Sequence, residues 1–188
     1  MRYPENHNQT VRAKIVAAAS HALRREGLEG VSIPSLMKKV GLTHGGFYVH
    51  FRNRDELVAE AVRFAAAATA AQVLDGDHAT VETMLQTYLS SEHAAHPGEG
   101  CVLAALGAEA TRQHGIVRRS FREIAQGVVG YVQKRLHPGA TRARVSDDAL
   151  VLASRMIGAV VLARLVEDPA LSERILAAAR SAPTLGLA

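Results

Sequence analysis

The chain has 188 residues, 48% of them hydrophobic, with four Phe, four Tyr, no Trp and a formal net charge of +4. This length suits one sizeable domain or two small ones, and a single cysteine excludes an internal disulfide. No apolar stretch is long and uninterrupted enough for a membrane span, and the start does not resemble a signal peptide. A soluble cytoplasmic protein is therefore the simplest expectation.

The positive charge is concentrated in the first third of the chain. Residues 1–57 hold nine basic and five acidic residues, whereas the remainder holds 13 of each. A local positive field favours phosphate, which supplies most of the non-specific affinity of proteins for DNA. The charge distribution thus points to the N-terminal segment as a candidate nucleic-acid-binding region.

The first predicted helix is capped by Thr10 and runs to about Glu26, with residues 1–9 loose. Gly27 ends it, because glycine enters the left-handed region without penalty. For Arg12, near its start, a phosphate contact and a solvated position are both open. The apolar positions follow the 3.6-residue period: Val11, Ile15, Ala18, Ala19, Ala22 and Leu23.

Two short helices around a glycine turn are predicted next. Ser32 is a favourable N-cap, and Pro34 then falls in the first turn, where its missing N–H does no harm. Gly41 stops this helix and Thr43 can cap a second one. This order is the helix-turn-helix arrangement, whose second helix enters the major groove of DNA.

The second helix divides its residues between two faces. Phe47 and Phe51 lie four apart and face inward together, which leaves His44, Gly45 and Tyr48 on the outer face. A further helix is predicted from Asp55 to about Leu74, where Asp75-Gly76-Asp77 would break it. It opens with a variant capping box, Asn53 with Glu56. Arg54 stands at its first position, where a cation is disfavoured unless a phosphate lies beside it.

Residues 43–57 resemble the signature of the TetR/AcrR family of bacterial transcriptional regulators. The matching positions are Tyr48, His50, Phe51, Arg54, Asp55, Glu56 and Leu57. The close match covers about residues 11–62, and two positions depart from it. Pro34 stands where a polar, sometimes DNA-contacting residue is usual, and Arg54 stands where Lys is commoner. Arginine binds phosphate as well, so only the contact at position 34 is put in doubt.

The resemblance implies an all-α protein with two parts. Residues 1–54 would form a three-helix DNA-binding domain, and residues 55–188 a helical bundle for effector binding and dimerisation. Thr43, Tyr48, His50 and Arg54 would contact phosphate, and His44 with the Gly45 backbone would reach base edges. The full set of expected DNA contacts is Ser32, Ser35, Thr43, His44, Gly45, Tyr48, His50 and Arg54.

The remaining helices are predicted from caps and turn residues. They cover about residues 80–91, 101–111, 116–136, 146–166 and 169 onward, with a turn-rich break at 93–100. The helix that starts after Ser146 is apolar almost all round, so more than one side must be covered. The resemblance implies a homodimer through the last two helices, with recognition helices spaced for two half-sites of a palindromic operator about 34 Å apart or a multiple.

The resemblance also implies an effector cavity among the central helices. An apolar composition favours a hydrophobic effector, and no cofactor is expected. The implied function is a repressor released from its operator by a small molecule. The candidate lining residues are Met84, Tyr88, Cys101, Leu106, Phe121, Met156 and Ile157.

The sequence carries weaker signals for other functions. The His44-Gly45-Gly46 run is similar to an esterase oxyanion loop, but the chain lacks a G-x-S-x-G nucleophile motif, so no enzyme is expected. His93, His96 and Cys101 make only a weak zinc set without a clear fourth ligand, so no metal is expected. Cys101, at an apparent helix start, suggests an oxidant- or electrophile-sensing repressor, against a simple buried residue. A helical interaction protein without specific DNA readout is the remaining alternative.

Overall fold

The computed structural model describes residues 5–74, 80–139 and 144–183, and these residues form helices and connecting turns without a strand. The all-α expectation is confirmed. A 3-10 turn at His44–Gly46 leads directly into the third helix. The helices are α1 (Glu5–Glu26), α2 (Ile33–Lys39), α3 (Phe47–His50), α4 (Arg54–Leu74), α5 (Val81–Tyr88), α6 (Ser91–Ala95), α7 (Val102–Ala110), α8 (Gly115–Leu136), α9 (Asp147–Leu165) and α10 (Pro169–Ser181).

Most predicted helix ends are confirmed by hydrogen bonds. The hydroxyl oxygens of Thr80 and Ser146 accept from backbone N–H groups three residues on, at 3.1 and 3.3 Å. Gly27 and Gly139 take φ of +84° and +83° just after α1 and α8, where a residue with a Cβ would be strained. The predicted break at residues 75–77 lies outside the described residues.

Two predicted boundaries are wrong. Helix α1 begins at Glu5 rather than after Thr10, because residues 5–9 contain no Gly or Pro to interrupt a helix. The helix predicted at about residues 80–91 ends at Tyr88 rather than at Ser91, and the short helix α6 (Ser91–Ala95) extends into the predicted turn-rich break. The Ser90 hydroxyl caps α6 by accepting from the His93 N–H at 3.1 Å.

The buried side chains form two clusters that meet in α7 and α8. The first cluster joins α1–α4 to α7 and to the N-terminal half of α8, through residues such as Leu106, Val117 and Phe121. The second joins α5, α6, α9 and α10 to the C-terminal half of α8. Helix α4 packs against both α1 and α8. The N-terminal helices are therefore joined to the rest of the described chain through packed side chains.

Candidate nucleic-acid interface and internal cavity

The turn between α2 and α3 is built by local caps, as the sequence predicts. The Ser32 hydroxyl accepts from the Ser35 N–H at 3.3 Å, and the Thr43 hydroxyl accepts from the Gly46 N–H at 3.3 Å. Gly41, between the two helices, has a φ of +78°. Only glycine adopts this conformation without strain, so the turn that sets the angle between α2 and α3 depends on it.

The inner face of α3 is fixed by two stacked phenylalanines. Phe47 and Phe51 are each 1% exposed, with ring centroids 5.4 Å apart. The Arg12 guanidinium lies 4.4 Å from the centre of the Phe51 ring, and its Nε donates to the His50 carbonyl at 3.2 Å. The last residues of α3 are thus attached to α1.

Arg12 is part of an ion-pair network rather than a solvated cation. Its guanidinium donates to Glu60 and, at 3.3 Å, to Glu56. The hydrogen bond to Glu60 raises the pKa of Arg12 above its ordinary value, against the opposing effect of burial. The sequence gives no local signal for these contacts, because the partners lie more than 40 residues away along the chain.

The outer face of α3 and its preceding turn is exposed. Tyr48 and Val49 are 64% and 71% exposed, and the His44 and Tyr48 rings meet edge to face at 5.9 Å. Side chains here project from a helix whose other face is rigidly packed. Such a helix can present a fixed pattern of donors and apolar groups to a groove.

The eight predicted DNA contacts fall into two groups. Six are exposed, namely Ser32, Ser35, Thr43, His44, Gly45 and Tyr48. His50 and Arg54 are half-buried. Burial, with the nearby Arg12 and His7, lowers the pKa of His50. The Arg54 guanidinium donates to the Leu28 carbonyl, so part of it is engaged within the chain. All eight remain predicted contacts.

A cavity of about 330 Å³ lies between α4, α5, α7, α8 and α9. Of the seven predicted lining residues, Met84, Tyr88, Cys101 and Met156 do line it. Leu106 and Phe121 pack in the first cluster, beside the N-terminal helices, and Ile157 is half-buried off the cavity wall. Sequence reasoning missed the other wall residues, which apart from Tyr131 are small or aliphatic: Ala66, Ala67, Thr69, Ala70, Val102, Ile124, Gly127, Val128, Tyr131 and Val132.

The few polar groups of the wall are mostly paired within the chain. The Thr69 hydroxyl bonds the Ala65 and Gly100 carbonyls at 3.1 and 3.2 Å, and the Tyr131 hydroxyl accepts from Arg135 Nε at 2.6 Å. The buried Tyr88 hydroxyl has no hydrogen-bond partner of normal geometry among the described residues. Burial raises the pKa of Tyr88 well above its ordinary value, and the neighbouring Cys101 adds to this shift. The cavity is consequently an apolar site.

Cys101 stands at the N-cap of α7, 5% exposed, beside a cluster of cationic side chains. Its N–H donates to His93 Nε2 at 2.8 Å, and His93 Nδ1 contacts the Tyr88 carbonyl at 2.6 Å. Both ring nitrogens of His93 are therefore engaged. The two cationic side chains nearby also bond backbone carbonyls: Arg24 donates to the Gly100 carbonyl at 2.7 Å, and Arg164 donates to the His93 carbonyl at 2.9 Å.

No group of three or more His, Cys, Asp or Glu side chains in the described ranges is placed to hold a metal ion.

Helices α9 and α10 carry a set of exposed apolar side chains, namely Leu150, Val151, Leu162, Leu165 and Leu171. Among the helices that the structure describes, none has the length and hydropathy needed to span a bilayer.

Comparison with known proteins gives the same picture of the fold. A crystal structure of a TetR transcriptional regulator from Chloroflexus aurantiacus is 24% identical, covers 93% of this chain and 94% of its own, and has a TM-score of 0.75. The reduced form of Escherichia coli NemR is 20% identical, covers 95% of this chain and 100% of its own, and has a TM-score of 0.74. AibR, solved in complex with isovaleryl coenzyme A and operator DNA, is 17% identical, with coverage of 90% and 96% and a TM-score of 0.65.

Family models assign both parts of the sequence. No curated protein sequence matches the chain. The model of bacterial regulatory proteins of the tetR family matches residues 15–61. The model of the tetracyclin repressor-like C-terminal domain matches residues 78–179, more than half of the chain. These models describe transcription regulators rather than enzymes. With its helix-turn-helix, its all-helical C-terminal part and both matches, the chain belongs to the TetR family of bacterial transcriptional regulators.

Proposed function

We propose that this chain is a sequence-specific repressor that leaves a palindromic operator when a small molecule fills the cavity between α4 and α8. The observation that carries the proposal is that one face of α3 is buried and the other is exposed. His44, Tyr48 and Val49 are exposed on a helix held by the buried Phe47 and Phe51. Such a helix suits base edges, while hydroxyl and basic side chains around it suit phosphate. That AibR was solved with operator DNA supports this use of the fold.

The effector part of the proposal rests on the cavity and on its neighbours. Helices α7 and α8 contribute to the cavity wall and also to the core around α1–α4. A ligand that fits one arrangement of these helices better than another shifts the population between them. The N-terminal helices would then change their position relative to a second copy. The presence of isovaleryl coenzyme A in AibR supports effector binding in this fold.

A homodimer through α9 and α10 completes the proposal. The exposed leucines and valine on these helices would be covered by the same residues of a second copy, in a two-fold arrangement. Two recognition helices would then face two half-sites about 34 Å apart or a multiple.

The experiment is selection of bound DNA from a random pool at two salt concentrations. It compares the wild type with Tyr48→Ala and, as a control, with Arg122→Ala, which removes an exposed cation of α8. An enriched palindrome that survives the higher salt, persists in Arg122→Ala and weakens in Tyr48→Ala supports the proposal. Unselective binding that fades with salt in all three proteins contradicts it and favours an interaction protein.

A second candidate is a repressor that senses electrophiles through Cys101. The observation that favours it is that Cys101 lines the cavity, at the N-terminus of α7. A quinone in the cavity would form a carbon–sulfur bond after the thiol proton is lost to solvent. Hydrogen peroxide would instead oxidise the thiolate to a sulfenic acid, with cleavage of the O–O bond and release of water. Peroxide and quinone should then weaken operator binding in the wild type. An unchanged response in Cys101→Ser excludes this mechanism.

A further inference from the structure

The mouth of the cavity can be located from the exposure of its lining residues. Of the residues that line it, Ala67 of α4 and Gly127 of α8 are exposed, and all the others are buried or half-buried. The opening therefore lies between α4 and α8, with one small residue on each side.

The backbone conformation at Gly127 does not require glycine, since its φ is not positive. It lies in the middle of α8, where glycine destabilises a helix relative to alanine. A Cβ built at this position meets no described atom within 4 Å. A side chain would therefore fit without strain and would occupy the mouth. The missing side chain keeps the mouth open.

The wall indicates which molecules the cavity can hold. No Asp, Glu, Lys, Arg or His side chain is part of it. The Thr69 and Tyr131 hydroxyls are engaged within the chain, whereas the buried Tyr88 hydroxyl is an unpartnered polar group on the wall. An ion entering this cavity would lose its hydration and meet no charged side chain on the wall, which is unfavourable. The cations near Cys101, Arg24 and Arg164, lie outside the wall and donate to the Gly100 and His93 carbonyls. An uncharged apolar molecule loses little and gains contacts with aliphatic side chains.

We propose that the cavity takes an uncharged, mainly apolar small molecule, which passes between α4 and α8 across Gly127. This rests on the proposed function in one respect, namely that the cavity is the effector site. The volume of about 330 Å³ lies near the lower end of the range of small-molecule pockets, roughly 300–1,000 Å³. The ligand is accordingly compact, without the nucleotide part of a coenzyme A thioester.

The test uses two probes of similar size that differ in charge, 2-acetylnaphthalene and 2-naphthoate. Titration calorimetry with the full chain should detect binding of the uncharged ketone, with the carboxylate bound at least about 100-fold more weakly because it cannot be paired. Equal or tighter binding of 2-naphthoate would overturn the ligand class. Failure of the wild type to bind either probe would overturn the proposal as a whole.

The mouth is tested with a matched pair of glycine variants. Gly127→Leu should slow the association of 2-acetylnaphthalene at least about tenfold in kinetic calorimetry, because its side chain takes the space that the ligand crosses. Gly130→Leu is the control. Gly130 is on the same helix and its Cβ also meets no described atom within 4 Å, but it does not line the cavity. The association rate of Gly130→Leu should stay within about twofold of the wild type, since nothing on the wall changes.

An unchanged association rate in Gly127→Leu would show that the ligand does not pass at this residue. Circular dichroism checks that both variants are folded. Ala67→Leu, on the opposite side of the mouth, replaces Gly127→Leu should that variant not fold. Operator binding without a probe is measured in parallel by fluorescence anisotropy. Selective DNA binding without probe binding would contradict the proposed ligand and leave the repressor function standing. Probe binding without selective DNA binding would contradict the repressor function and leave the proposed ligand standing.

Discussion

The Glu109 carboxylate accepts a hydrogen bond from the Leu28 N–H at 2.7 Å, so the end of α7 is joined to the turn between α1 and α2. The start of α7 is joined to α1 as well, because Arg24 donates to the Gly100 carbonyl at 2.7 Å. The first residues of α7 also form part of the cavity wall. A displacement of α7 by a ligand would therefore be transmitted to the helix that packs beneath the helix-turn-helix.

Removing the Glu109 carboxylate should destabilise the protein. Glu109→Ala leaves the Leu28 N–H without its partner, and we expect the free energy of unfolding to fall by about 1–2 kcal/mol. Urea unfolding at pH 7.5 measures it. Glu123→Ala is the control, since Glu123 pairs with Arg63 at 3.0 Å on the surface. A loss of no more than about 0.5 kcal/mol is expected there. Equal losses in the two variants would show that the Leu28 contact adds nothing beyond a surface ion pair.

The two faces of α3 should differ sharply in their contribution to stability. Phe47→Ala empties a fully packed site beside Phe51, so a loss of about 3–5 kcal/mol is expected. Val49→Ala changes a side chain that is 71% exposed, so the loss should stay within about 0.5 kcal/mol. Urea unfolding of both variants measures the difference. A large loss in Val49→Ala would mean that this residue is buried in solution and unavailable to DNA.

The local features of the DNA-binding part could be predicted from the sequence because each depends on neighbouring residues. The caps at Ser32 and Thr43 and the turn at Gly41 use hydrogen bonds or backbone angles within three residues. The partners of Arg12 and Arg54 could not be predicted in this way, because they are 26 to 48 residues distant.

The cavity was predicted less well for a related reason. Large apolar residues such as Leu106 and Phe121 attract attention as lining candidates, yet they fill a core. The wall is instead made in part by small residues, Ala66, Ala70 and Gly127. A cavity exists where side chains are missing, and the sequence does not show which small residues face each other.

Stability should decrease in mild acid because of His93. Burial lowers its pKa, and the nearby Arg164 and Arg24 lower it further, whereas the contact with the Tyr88 carbonyl opposes the shift. The folded state therefore favours neutral His93, whose Nε2 accepts the Cys101 N–H. The unfolded state binds the proton more tightly. We expect the free energy of unfolding to fall as the pH drops below about 6.5, the ordinary pKa of histidine.

The measurement is urea unfolding from pH 8 to pH 5 in the wild type, His93→Gln and His96→Gln. Glutamine at position 93 keeps an acceptor but does not titrate, so the fall below pH 6.5 should be smaller in that variant. His96→Gln alters an exposed histidine three residues on and should keep the wild-type profile. Profiles of equal slope in wild type and His93→Gln would assign the acid sensitivity to other groups, such as His50, whose pKa is also lowered.

The exposed apolar residues of α9 provide a test of the proposed dimer. Leu162 and Leu165 are 55% and 72% exposed in the single chain. Replacing both with glutamate would place four carboxylates in an apolar two-fold interface, where they cannot be paired. The double variant should sediment as a monomer at micromolar concentration. Phe64→Glu, which changes a 46% exposed residue of α4, should leave the dimer intact.

Loss of the dimer should also reduce operator binding. A monomer presents one recognition helix, so a palindromic operator should be bound about 100-fold more weakly, or weaker still, because the second half-site no longer adds to the affinity. Fluorescence anisotropy with the selected operator measures this, with Phe64→Glu as the control. A double variant that remains dimeric would place the interface elsewhere. A monomer that binds the full operator as tightly as the wild type would mean that one α3 provides the whole of the recognition.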